Sequence, residues 1–199
     1  MIAALYVLTG GCYFGLPDVD PWDEKRDARK YDGPHKVLAH PPCERWGRYW
    51  FGGPSARVKR VKGDDGGCFA SALASVRKWG GVLEHPVDSS AWAHFGLMAP
   101  PRNGGWVRDV LVPTEWTCCV EQGHYGHPAR KPTWLFVSSA VPPAELKWGP
   151  APTPERKPII ARERTLGVVE LLSRRQRQST PPEFRDVLLR LAADCVVAQ

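Results

Sequence analysis

A chain of 199 residues has room for one well-buried α/β domain and is cramped for two. Its 43% hydrophobic and 24% charged residues are those of an ordinary globular protein, and no apolar run approaches the roughly 20 residues that a membrane span needs. Lys+Arg 27 against Asp+Glu 21 gives +6 and a pI near 9.1, a mild basicity that suits a nucleic-acid or nucleotide partner without requiring one.

Twenty prolines and nineteen glycines predict irregular connections and few helices. The nine tryptophans form either a contact surface or a Trp-rich core. Met1 to Leu8 is apolar but lacks a basic leader and a small-residue cleavage site, so it is read as a first strand and not a signal peptide. Six cysteines without a secretory signal, two of them adjacent at Cys118-Cys119, point to a reducing compartment and a cytoplasmic protein.

Residues 2–8 are a continuous apolar run, as in a central parallel strand, and Thr9-Gly10-Gly11 ends it in a turn able to cradle a phosphate or a cofactor carboxylate. Asp18, Asp20 and Asp23 are candidate metal or sugar-hydroxyl ligands, or simply part of a solvated turn before a short helix at 22–31. Val37-Leu38-Ala39-His40-Pro41-Pro42-Cys43 reads as a buried strand stopped by two prolines, which presents Cys43 beyond the strand's carboxyl end.

The next stretch interleaves Arg45, Arg48, Arg57, Lys59, Arg60 and Lys62 with Trp46, Tyr49, Trp50 and Phe51. Cations neutralise phosphates and aromatic faces stack on unpaired bases, so Arg45, Trp46, Arg48, Arg57, Lys59 and Arg60 are candidate nucleic-acid contacts. A helix is predicted over 65–79, with Phe69, Leu73 and Val76 on one face and Gly80-Gly81 as its stop. Val82-Leu83-Glu84-His85-Pro86 follows as a second strand. Parallel neighbours bring their carboxyl ends together, so Cys43 and Glu84 are expected on one sheet edge.

Residues 87–114 read as loop, and strands are expected at 116–121 and 133–138 around a basic connection carrying Arg130 and Lys131. A Pro-rich linker at 141–163 separates the 1–140 domain from C-terminal helices within 164–199, expected at 164–177 and 180–194 and packing back on the domain. Thr180-Pro181-Pro182-Glu183 has the form of a capping box for the last helix. The fold class expected is α/β: a single domain with a mostly parallel twisted sheet and helices on both faces.

Three ordered stretches resemble motifs of the DNA cytosine-C5 methyltransferases. His40-Pro41-Pro42-Cys43 resembles the Pro-Cys nucleophile motif, and Gly80 to Pro86 the Glu-Asn-Val motif, with His85-Pro86 in place of Asn-Val. Gln122 to Val137 resembles the Tyr-Gly-x-Pro-Gln-x-Arg-x-Arg stretch and its following strand, with Ala129 at the glutamine and Thr133 at the last arginine. The chain also resembles a group of phage-associated proteins of similar length, which would place it in the cytoplasm of a bacterial host.

The resemblance implies a Rossmann-like methyltransferase sheet with a reduced N-terminal part. It makes Cys43 the nucleophile that adds to C6, Glu84 the partner of N3, and Arg130 or Lys131 the contact to the base carbonyl or a phosphate. Arg45 or His40 would supply the positive charge that favours the Cys43 thiolate. It implies S-adenosyl-L-methionine as cofactor, with Thr9, Gly10, Gly11, Asp18 and Asp20 near it, and DNA or a pyrimidine nucleotide as substrate; no protein partner is expected. Only 42 residues precede Cys43 and no Phe-x-Gly-x-Gly is present, so a non-catalytic nucleic-acid-binding or inhibitory relative is the alternative. A zinc protein using His40, Cys43, Cys118, Cys119, His124 and His127 is a second alternative.

Overall fold

A computed structural model describes residues 1–52, 57–152 and 172–197. Seven strands form one sheet: β1 (Ile2–Leu5), β2 (Val19–Trp22), β3 (Lys36–Ala39), β4 (Gly81–Pro86), β5 (Val107–Arg108), β6 (Glu115–Glu121) and β7 (Pro132–Ser138), in the order β2-β1-β3-β4-β7-β6-β5. The block from β2 to β4 is parallel, and the pairs β4–β7, β7–β6 and β6–β5 are antiparallel. The α/β class holds, but the sheet is mixed where a mostly parallel one was expected. The reason is the short connection at 122–131: it turns β6 straight into β7 as a hairpin, and β7 then inserts beside β4.

Helices cover both faces. α1 (Cys68–Trp79) turns Phe69, Leu73 and Val76, the expected face, onto Ala3, Leu5, Val37, Ala39, Leu83 and Phe136. On the opposite face, α4 (Pro182–Asp194) lays Phe184, Val187, Leu188 and Leu191 on Ala4, Leu38, Val82, Leu135 and Val137. Strand alternation sorts the two sets: Leu38 and Val82 face α4, while their neighbours Val37 and Leu83 face α1. Gly81 lets β4 lie close to β3, since its φ is +144° and a Cβ there would sit 1.9 Å from the Val37 carbonyl oxygen.

Several boundaries differ from expectation for local reasons. The first strand stops at Leu5 because Tyr6 takes a left-handed φ of 59°. No helix spans 22–31; β2 occupies Val19–Trp22, its Pro21 tolerated because the strand lies at the sheet edge, and a single 3-10 turn forms at Ala28–Lys30. Within 87–114 there are a short helix α2 (Ser90–His94), capped by the Ser89 side chain, and β5. The capping box at 180–183 does not form, because α4 begins at Pro182 and makes Pro181, which has no side-chain acceptor, the N-cap.

α3 (Arg174–Gln178) covers the end of the helix expected at 164–177, whose residues 164–171 lie outside the described residues. The expected linker is packed where it is described: Ala151 is buried with its N–H on the Glu121 carboxylate, and Trp148 meets Trp106 edge-on. Trp46, Trp92 and Trp134 are buried in the α1-side core, which answers the tryptophan question largely in favour of packing. Among the described residues, no helix is long and apolar enough to cross a membrane.

Docking of α4 is directly testable. Leu188 is fully buried, so Leu188→Ala should lower unfolding stability by about 2–5 kcal/mol in urea titrations. A change near zero would show that the helix is not part of the cooperative core.

Candidate active site at the sheet edge

The parallel register places the site. Ala39 is opposite Leu83, so the next residues, His40 and Glu84, stand side by side at the carboxyl ends of β3 and β4. Both belong to the alternation that faces α4. His40 Nδ1 lies 3.0 Å from Glu84 Oε2, and the Tyr13 hydroxyl lies 2.7 Å from His40 Nε2. From the other side of β4, the β6–β7 hairpin brings in fully buried Gln122, whose Nε2 donates to Glu84 Oε1 at 3.2 Å and to Thr133 Oγ1 at 2.9 Å. Backbone bonds Gln122 N to Lys131 O and Gly123 N to Arg130 O close that hairpin, so Gln122 sits opposite Lys131.

These groups set one another's charge. Burial pushes the Glu84 carboxyl up, but the His40 hydrogen bond and the nearby His40 and Lys131 charges outweigh it and hold the group below its ordinary value. Burial pulls the Lys131 ammonium below its ordinary value, against the opposing pull of Glu84 and Cys43. The Cys43 thiol is pushed up, first by burial and then by the Glu84 carboxylate, with Lys131 opposing. Cys43, Glu84 and Lys131 are therefore electrostatic neighbours.

Arg130 is not one of them. Its guanidinium is substantially exposed and faces Glu121 at 3.8 Å, whereas Lys131, next in the chain, takes a left-handed φ of 47° just before β7 and sets its ammonium near Glu84 and Cys43. The charge expected from Arg45 or His40 on the Cys43 thiol is likewise supplied by Lys131 instead, since His40 is engaged with Glu84. Tyr13, His40 as a partner of Glu84, and Gln122 were missed as a set. Only Gln122 carried a signal, as an amide directly following an apolar strand.

The glycine turn lies on the same edge. The Thr9 hydroxyl donates to Asp23 Oδ2 at 2.7 Å, and Asp23, just past β2, also accepts from Lys25 N. Asp20 is turned away, held by the Trp22 indole and Arg26, and Asp18 takes a left-handed φ of 57°. A Cβ on Gly10 would meet nothing within 4 Å, and one on Gly11 would lie 2.8 Å from the Leu8 carbonyl oxygen, so Gly11 is required by the tightness of the turn itself. The residues expected around S-adenosylmethionine thus fit it only in position: Thr9 and Asp20 have their hydrogen bonds committed, and the carboxylate nearest the turn is Asp23.

The basic aromatic stretch divides. Trp46 is buried, stacked among Phe69, His94 and Phe95 with its indole N–H on Asp65, so it is not a free stacking platform. Arg45 Nη1 is also buried, without a hydrogen-bond partner among the described residues. Arg48, Arg57 and Lys59 are exposed and Arg60 is half-buried, beside exposed Tyr49 and Phe51. The zinc set is dispersed: Cys118 and Cys119 face opposite cores, and His124 and His127 bind the backbone carbonyls of Gly149 and Ala129. Among the described residues, no group of three or more His, Cys, Asp or Glu is placed to hold a metal ion.

No family model, no curated protein and no solved structure matches the chain.

One neighbour of Glu84 makes a pH prediction. His85 points to the α1 face, 1% exposed between Phe69 and Trp92, and burial drives its imidazole down to about 4. An unfolded imidazole takes up its proton near pH 6.5. Between those values unfolding takes up a proton, so stability falls as pH is lowered through the window, by up to about 3 kcal/mol. Urea midpoints from pH 7 to pH 4 should show this loss, and His85→Leu should remove it. Equal pH slopes in the two proteins would rule out a neutral buried His85.

Proposed function

We propose that the protein is a pyrimidine-C5 modifying enzyme of the DNA cytosine-C5 methyltransferase type, acting on DNA or a nucleotide, with a Rossmann-like sheet reduced at its N-terminal part. The observation that carries this reading is the convergence of a thiol, a carboxylate and an ammonium at the carboxyl edge of two adjacent parallel strands, where open α/β sheets bind their ligands.

In this reading the Cys43 sulfur adds to C6 of the pyrimidine and makes C5 nucleophilic. Glu84 faces N3, and Lys131 takes the carbonyl contact that Arg130 is too far out to make. Gln122 fixes the carboxylate from behind, so its orientation does not depend on substrate. Exposed Arg48, Arg57, Lys59 and Arg60 supply backbone contacts to a polynucleotide, with Tyr49 and Phe51 as stacking faces in place of Trp46. S-adenosylmethionine is the methyl donor that the resemblance implies, against Gly10, Gly11 and Asp23.

The thiol pushed above its ordinary value and the committed Thr9 and Asp20 side chains favour the second reading, a nucleic-acid-binding relative without catalysis. The two readings separate cleanly. Cys43→Ala should abolish modification of a cytosine-containing oligonucleotide while leaving its binding within about twofold; full modification by the variant would overturn the enzyme reading. Calorimetric titration with S-adenosylhomocysteine should give micromolar binding that Gly11→Val removes. Absent binding in a folded sample favours the relative.

For the basic stretch, replacing Arg57 and Lys59 together by Ala should reduce the slope of log K against log salt by about 2. An unchanged slope would place the nucleic acid elsewhere.

A further inference from the structure

Cytosine presents a lone pair at N3, so addition at C6 needs a proton there, yet the groups around Glu84 hold it as an anion. The route by which a proton reaches it is constrained. Oε1 is bound by the Gln122 amide, which donates a hydrogen bond but cannot hand over a proton and be restored by a partner. Lys131 Nζ donates to the Ser179 carbonyl oxygen at 2.8 Å. Oε2 faces His40 Nδ1 at 3.0 Å, and behind the imidazole the Tyr13 hydroxyl reaches Nε2 at 2.7 Å. Tyr13 is 3% exposed, and the His40 and Glu84 side chains are each 14% exposed, so this line of groups is largely shielded from bulk water.

We propose that Tyr13 and His40 form a proton relay behind Glu84 that delivers the N3 proton during addition of Cys43 to the base; this rests on the pyrimidine-C5 reading above. The step balances. The thiolate pair forms the S–C6 bond, the C5=C6 pair moves to C4–C5, and the C4=N3 pair moves to N3. The Nδ1 proton of the His40 imidazolium passes to Glu84 as Glu84 passes a proton to N3, so the carboxylate begins and ends as an anion and a neutral imidazole remains. Tyr13 then donates to Nε2, which fixes the neutral ring with its proton on Nδ1. The charged or titratable groups facing this relay are Cys43 from the turn after β3, Lys131 from the hairpin, Glu84 itself and, around Tyr13, Cys12 together with Arg185 and Asp186 of α4; His85 lies on the far face of the sheet. His40 acts through Glu84 and is a positioning residue, not a catalytic one.

The test uses the full chain and a cytosine-containing oligonucleotide under single-turnover conditions from pH 5.5 to 9. Wild type should give a bell-shaped profile: the rate rises as Cys43 ionises and falls once the relay no longer holds a proton to deliver. His40→Asn keeps a side-chain N–H near the Nδ1 position but cannot carry a proton. It should lower kcat about 100-fold at pH 7 with KM within about threefold, and retain only the rising limb. Tyr13→Phe should keep both limbs at an intermediate rate. An asparagine variant with the wild-type rate and profile would overturn the relay, since a hydrogen bond alone would then suffice.

Nitrogen-15 NMR of the imidazole supplies a readout independent of activity. The neutral His40 ring should carry its proton on Nδ1, and a proton on Nε2 overturns the relay whatever the rates. With the Nδ1 tautomer in place, an active wild type whose asparagine variant loses the falling limb supports it. No product from wild type, with that tautomer in place, overturns the pyrimidine-C5 reading and leaves the relay nothing to serve.

Discussion

An ionised carboxylate at the rim of a sheet loses several kcal/mol of hydration unless donors replace the water, and the surroundings of Glu84 are arranged to replace it. Both strands that flank β4 contribute. β3, parallel to it, sets His40 level with Glu84 and gives Oε2 its partner. The hairpin leading into β7, antiparallel to it, folds Gln122 under Oε1 and turns Lys131 inward. The mixed character of the sheet is thus tied to the site: a parallel neighbour brings a strand end, and an antiparallel neighbour brings a tight connection with a buried amide and a cation.

Adjacent residues on β4 show what the pleat does with charge. Glu84 faces the α4 side, where donors converge on it, and remains an anion. His85, one residue on, faces the α1 side among Phe69 and Trp92 and is held neutral down to about pH 4. Withdrawal from water therefore has opposite consequences for the two, because one face offers hydrogen-bond donors and the other offers aromatic rings.

The helical faces and the βαβ core were legible in the sequence because each rests on periodicity. Phe69, Leu73 and Val76, and Phe184, Leu188 and Leu191, repeat at the helical spacing, and the two apolar runs ending at His40 and Glu84 read as parallel strands without ambiguity. β2 was not legible, since Asp20 and Pro21 lack strand character and only an edge position makes them acceptable. The different placements of Lys131 and Arg130 depend on the left-handed φ of 47° that Lys131 takes just before β7, which no sequence pattern announces. Trp46 misled because composition cannot distinguish a stacking platform from a ring closing the core over Phe69. The Tyr13–His40–Glu84 line joins residues 27 and 44 positions apart, and no local pattern announces contacts at that range.

Cys43 and Glu84 oppose each other as the site stands. An anionic Glu84 raises the thiol, and a thiolate would in turn repel the carboxylate, so the arrangement disfavours the double anion. In the proposed reading a pyrimidine between them would change this balance, because sulfur's negative charge would be spent in the S–C6 bond while N3 gains a proton. In that proposed step charge would leave sulfur while the proton comes from the His40 imidazolium and Glu84 ends as an anion, so the repulsion that holds the thiol protonated would disappear along the reaction coordinate. Lys131 limits the cost beforehand by facing both anions. A thiol that is unreactive alone and activated only when the base arrives with a proton route behind it is less exposed to adventitious oxidation than a free thiolate. The high resting pKa of Cys43 and a nucleophilic role are consistent on that account, provided that the proton reaches N3 no later than the bond forms.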